Sequence, residues 1–176
     1  MVGEILALIS GIIAVGAAGY LYTWVMKQAN ESEAIAEYSA EVQEGANAYL
    51  KRLYQALGIL AAAITVVLLI TMSWEMAIAF LIGAISSASA GYAGMYVATR
   101  ANGRVAWAAR GGLKKAFPVG FFAGGVMGLS VVGFALIGMS ILYMIFHDPN
   151  VVLGFSFGAS SLALLAKAGG GIYTKT

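Results

Sequence analysis

The chain has 176 residues, 61% of them apolar and only 10% charged, with a mean hydropathy of +0.86. Soluble domains run nearer to about half apolar and about a quarter charged, so this sequence carries more apolar surface than a water-soluble fold of its length can bury. A net charge of +2, with no amphipathic element interleaving basic and aromatic residues, argues against nucleic acid as a partner. The absence of cysteine excludes disulfides, thiolate metal sites and thiol nucleophiles.

The start, Met1-Val2-Gly3-Glu4, lacks the basic region of a secretory signal. The first apolar run therefore reads as a retained helix, although Ala17-Ala18-Gly19 are residues a cleavage site would use. Five stretches can each cross the hydrocarbon core, which takes about 20 helical residues: Ile5 to Met26, Ala56 to Met72, Met76 to Ala98, Phe117 to Phe146 and Val151 to Tyr173. The second is short and borrows a turn from the segment before it. The fourth is long enough to tilt or to project into water.

Between Asn30 and Tyr54 the apolar residues Ile35, Tyr38, Val42, Ala46, Tyr49 and Leu53 recur at helical spacing. Asn30 is placed to cap this helix, with Glu33 three residues on. The opposite face carries Glu33, Glu37 and Glu41. Because these carboxylates stack along one helix instead of converging, they read as a solvated face and not as a cation site. The fold expected is all-α: a polytopic transmembrane bundle of about five helices plus a cytoplasmic amphipathic helix, with 1–176 forming a single transmembrane domain.

Lys and Arg fix orientation because they are retained on the cytoplasmic side. Lys27, Lys51 and Arg52 lie between the first and second spans, Arg100, Arg104, Arg110, Lys114 and Lys115 between the third and fourth, and Lys167 and Lys175 near the C-terminus. The other side, made of the N-terminus, Ser73-Trp74-Glu75 and His147-Asp148-Pro149-Asn150, has no Lys or Arg. This pattern predicts an external N-terminus and a cytoplasmic C-terminus.

Helix association in lipid needs small residues, since the tails are as apolar as the side chains. The third span has ten Gly, Ala or Ser among the twelve positions from Gly83 to Gly94. The fourth has Gly120, Gly124 and Gly128, and the fifth Gly154 and Gly158. These ridges are the expected contact faces.

Chemistry has few footholds. None of the eight acids falls inside a span; the one charge well within an apolar run is Lys167, which reads equally as a lysine snorkelling to the interface or as a functional group. His147, the only histidine, lies in the turn with Asp148, Pro149 and Asn150 and reads as a turn residue, one His and one Asp being too few for a metal site. Gly169-Gly170-Gly171 followed by Lys175 could let backbone and a lysine approach a phosphate, but lacks the spacing of a Walker loop and reads otherwise as a flexible helix end.

Several strings, in order, resemble the membrane-integral pyrophosphatases that pump protons or sodium ions. They are Gln43-Glu44-Gly45-Ala46-Asn47-Ala48-Tyr49-Leu50-Lys51-Arg52, Ala90-Gly91-Tyr92-Ala93-Gly94-Met95 with Ala98-Thr99-Arg100-Ala101-Asn102, and Met127-Gly128-Leu129-Ser130-Val131-Val132-Gly133. Gly158-Ala159-Ser160-Ser161-Leu162-Ala163-Leu164 and Gly169-Gly170-Gly171-Ile172-Tyr173-Thr174-Lys175 complete the set. The resemblance covers most of this chain and only the first part of such a pump. It implies a homodimer that hydrolyses magnesium-pyrophosphate on the cytoplasmic side and expels an ion. It also implies four outer-ring helices followed by one inner-ring helix.

By the same resemblance Lys175 is a pyrophosphate contact, and Lys167 stands where the family has an arginine of the ion-coupling region. Lysine keeps the charge and loses the planar fork. The carboxylates that hold Mg2+ in the family belong to an aspartate-rich segment beyond Thr176. This chain alone is therefore expected to be inactive, the remaining C-terminal part of the pump being its partner. The alternative is a non-catalytic small polytopic membrane protein that serves as a packing or assembly partner.

Overall fold

The structure, a computed structural model, describes residues 2–29 and 32–173, with side chains as far as 169. Five helices follow one another: α1 Val2–Met26, α2 Glu33–Thr71, α3 Trp74–Ala109, α4 Leu113–Phe146 and α5 Pro149–Tyr173. There is no strand among the described residues, and all five helices are long and apolar enough to cross a membrane.

Three of them outrun the bilayer. The amphipathic segment and the second span form one unbroken helix, α2, of 39 residues, about 58 Å long at 1.5 Å per residue, against about 30 Å of hydrocarbon. Helix α3 likewise continues past Ala98, through Arg100 and Arg104. Helix α4 starts at Leu113 and takes in Pro118, whose missing N–H leaves the Lys114 carbonyl without a helical donor at an end that water can reach.

Short polar side chains set the boundaries. Ser32 caps α2, its hydroxyl accepting from the Ile35 N–H at 3.5 Å; Asn30, the cap expected from the sequence, lies outside the described residues. Ser73 accepts from the Met76 N–H at 3.3 Å and starts α3. His147 ends α4 in the left-handed region at φ 52°. Asp148 then accepts from the Asn150 backbone N–H at 2.8 Å and its side-chain amide at 3.0 Å, which closes the turn into α5.

Helix α3 is the hub. It packs on α2, α4 and α5 and touches α1, while α4 lies between α1 and α3. The buried positions advance in steps of three, four and seven: Gly11, Ala18 and Val25 in α1, Leu50, Leu57, Ala61 and Leu68 in α2, and Ala116, Val119, Ala123, Val126, Ser130, Gly133 and Ser140 in α4. A 3.5-residue repeat is the signature of helices crossing at about +20° with side chains interlocking along a straight seam.

The closest approaches are reciprocal. A Cβ added at Gly83 would overlap the Phe155 carbonyl, and one at Gly158 would overlap the Phe80 carbonyl, so each of α3 and α5 offers a Phe-x-x-Gly turn to the other. Between α1 and α4, a Cβ at Gly11 would stand 3.0 Å from the Gly133 oxygen, and one at Gly133 would stand 3.0 Å from the Gly11 oxygen.

The ridge on α4 is a correction to the sequence reading. Gly120, Gly124 and Gly128 are exposed, and a Cβ at Gly124 or Gly128 would meet nothing within 4 Å. The reason is register: the seam follows the 3.5-residue repeat through Ala116 to Ser140, so that the fourfold row starts beside Val105 of α3 at Gly120, 3.8 Å from its Cβ position, and reaches the open face at Gly124 and Gly128.

Substituting Ala therefore has opposite consequences at two glycines. Gly83→Ala should destabilise the bundle by about 1–3 kcal/mol through overpacking. Gly124→Ala should be neutral or stabilising by up to about 1 kcal/mol, the helix-propensity gain. Thermal unfolding in detergent checks the pair, and the reverse order would contradict the α3–α5 contact.

Candidate functional site

Lys175 lies outside the described residues. Lys167 is exposed on α5 and has no acidic partner among the described residues. Two residues further on, α5 runs against the amphipathic part of α2: a Cβ at Gly169 would lie 3.3 Å from Leu53 Cδ1 and 3.8 Å from Tyr49 Oη. The first and last of the strings singled out above thus meet in space at Gly169 and Tyr49.

The intermediate strings meet as well. A Cβ at Gly94 would clash with the Met127 side chain at 2.6 Å, which joins the second string to the third. Tyr54 donates to the Ala88 carbonyl at 3.0 Å, with its hydroxyl 3.3 Å from where a Gly91 Cβ would be. What these strings share structurally is close packing between helices.

Every described Lys and Arg sits toward the end of the bundle where α1, α3 and α5 finish and α2 and α4 begin. On α3 they continue a ladder at fourfold spacing. Tyr92 and Tyr96 stand 6.1 Å apart, Arg100 lies over the Tyr96 ring at 3.5 Å and donates to the Tyr96 carbonyl at 3.3 Å, and Arg104 donates to the Arg100 carbonyl at 2.7 Å. Tyr22 of α1 faces Tyr96 at 6.4 Å and ties α1 to this column. The buried Nε of Arg104 has no hydrogen-bond partner.

Beyond the tip of α1 the α3–α4 turn closes over a cleft of about 600 Å³, lined by Trp24, Gln28, Trp107, Arg110, Lys114 and Lys115, among others. Gly112, at φ 92°, supplies a backbone conformation that L side chains rarely adopt, and so returns Lys114 and Lys115 toward Arg110. Lys115 folds over Gly111, where a Cβ would stand 2.6 Å from its Cδ. Arg110 lies 4.8 Å over the Trp107 ring, and Gln28 donates to the Trp24 carbonyl at 3.1 Å.

Among the described residues no three His, Asp or Glu side chains are grouped to hold an ion. Glu33, Glu37 and Glu41 are exposed along α2. Sequence reasoning missed both the tyrosine–arginine ladder and the cleft. The ladder had a signal, four residues at fourfold spacing; the cleft had none, because it joins the end of α1 to a turn some eighty residues away.

The family model described as inorganic H+ pyrophosphatase matches residues 12–176. The chain is 42% identical over 169 residues to a K(+)-insensitive pyrophosphate-energized proton pump of Methanosarcina mazei, covering 95% of this chain and 25% of that protein. It is 43% identical over 170 residues to a putative K(+)-stimulated pyrophosphate-energized sodium pump of Clostridium tetani, covering 96% of this chain and 25% of the relative. A K(+)-insensitive proton pump of Moorella thermoacetica is 42% identical over 173 residues, with 94% and 25% covered. The chain thus spans about a quarter of the length of these relatives. A multi-pass helical membrane protein matched over nearly its whole length, it belongs to the inorganic H+ pyrophosphatase family.

Proposed function

We propose that this chain is the N-terminal membrane segment of a pump that couples pyrophosphate hydrolysis to export of protons or sodium ions. The observation that carries this reading is the near-complete match of the chain to the N-terminal quarter of such pumps. Proton and sodium pumps match it at 42% and 43% identity, so the choice of ion resides outside what this segment distinguishes.

Within that pump the segment is a scaffold. Helix α5 holds the glycine-rich end against Tyr49 and Leu53, and from there Lys175 reaches pyrophosphate as a point charge on its phosphate oxygens. Magnesium, supplied with the substrate, neutralises the phosphates and belongs to carboxylates of the remaining C-terminal part of the pump. Lys167 serves ion coupling by pairing with an acid from that remainder, since lone charges at membrane depth are costly unless paired. Tyr38 and Val42, apolar yet exposed on the water-facing part of α2, offer the remainder a surface to cover. The complete pump is a homodimer.

The orientation proposed has the basic end in the cytoplasm, because translocating Lys and Arg near a span is disfavoured. With no native cysteine, single cysteines at Ser73 and Asn150 should label from outside intact cells, and one at Asn102 should not. The opposite pattern would reverse the bundle.

Activity gives the second test. Purified chain alone should release no phosphate from magnesium-pyrophosphate, and co-expression with the remainder should restore turnover. In that complex Lys175→Ala should lower turnover by about 10-fold or more, the loss expected for a charge-assisted hydrogen bond, while Lys51→Ala changes it little. Turnover by the chain alone would refute the segment reading, and indifference to Lys175 would refute the site.

A further inference from the structure

The cleft at the α3–α4 turn has no part in the scheme above. Three cations, Arg110, Lys114 and Lys115, surround it, and none of its lining residues is a carboxylate. Such a concentration of one charge repels itself unless an anion joins it. The Arg110 guanidinium lies over the Trp107 ring and the Lys115 side chain folds over the bare backbone of Gly111, and neither contact supplies a negative charge.

Depth and neighbours decide which anion. Trp24 stands in the last turn of α1, whose 25 residues extend about 37 Å, slightly more than the hydrocarbon core. The cleft therefore opens at headgroup level, where indoles such as Trp24 and Trp107 are favoured. Its apolar floor continues outward along α4: Trp24 meets Phe122 edge-on at 4.8 Å, Phe122 meets Phe121 at 6.0 Å, and Phe121 stacks on Phe117 at 5.6 Å. Phe117 and Phe121 are 62% and 64% exposed. A basic cleft above an exposed aromatic flank has the two-part chemistry of a phospholipid, with an anionic head and acyl chains below it.

We propose that this cleft binds the phosphate headgroup of an anionic phospholipid, with the acyl chains lying along Phe117 and Phe121. Arg110, Lys114 and Lys115 pair with the phosphate oxygens. Gln28 keeps one amide N–H on the Trp24 carbonyl and has a second to offer the headgroup. The site is independent of the pump reading, since it needs only the bundle and a bilayer.

Tryptophan fluorescence isolates the cleft. The chain has three Trp, and Trp74 lies at the opposite end against Phe146, so Trp74→Phe leaves only the two that line the cleft. In bilayers of phosphatidylcholine doped with phosphatidylglycerol, either lipid brominated on the acyl chains near the carbonyl, quenching reports which lipid occupies it. A preference of about 10-fold or more for the anionic lipid is expected, given the roughly five-fold that each basic residue near an anionic surface contributes.

The triple variant R110Q/K114Q/K115Q should bring the two lipids to within about 2-fold of each other, each single Lys→Gln change should lose about 3- to 5-fold, and K114R/K115R should keep the preference. K51Q/R52Q, elsewhere on the basic end, should also keep it. A preference unchanged in the single and triple variants would overturn the proposal. So would relief of the quenching by millimolar inorganic phosphate or pyrophosphate, which would make this a site for a water-borne anion, or an equal loss in K51Q/R52Q, which would reduce it to general surface charge.

Discussion

The close backbone contact between α3 and α5 is the constraint on which the rest of this bundle depends. In lipid there is no hydrophobic gain from bringing two apolar helices together, so association rests on van der Waals packing and close approach. Gly83 against the Phe155 carbonyl and Gly158 against the Phe80 carbonyl bring the two backbones together at one crossing. Phe80 and Phe155 are in turn among the most deeply buried side chains. With α5 fixed on α3, its far end lies against α2, where Gly169 meets Leu53 and Tyr49.

The two ends of the bundle differ in kind. At one end short turns close tightly, with Ser73 and Asp148 satisfying the backbone locally. At the other, α2, α3 and α4 rise past the hydrocarbon and carry the basic residues and the tyrosine–arginine column. Stacking Arg100 on Tyr96 holds a guanidinium beside a ring that stabilises its charge.

The spans were legible because their apolar runs exceed what a buried soluble helix needs. Their true ends were not, since hydropathy marks where an apolar run stops and not where a helix does: the amphipathic helix and the second span are one piece, and α3 continues past Ala98 through Arg100 and Arg104. Gly154 and Gly158 on α5 were read as a contact face and are one. Gly120, Gly124 and Gly128 on α4 were read the same way, and Gly124 and Gly128 face outward, because fourfold spacing drifts off a 3.5-residue seam and sequence alone does not say which seam is used. What the strings encode structurally is interhelix packing. Lys167 sits among apolar neighbours in the sequence and is exposed in the fold.

The dependence of the α2–α5 junction on the α3–α5 crossing is the central claim, and cysteine cross-linking tests it in a chain that has no cysteine of its own. Leu53→Cys and Gly169→Cys place two thiols where the Leu53 side chain already comes within 3.3 Å of the Gly169 Cβ position. Mild oxidation should join them rapidly in the otherwise native chain, and adding Gly158→Leu should suppress the cross-link by prising α5 from Phe80. Failure to cross-link, or equal cross-linking with Leu at position 158, would contradict the account.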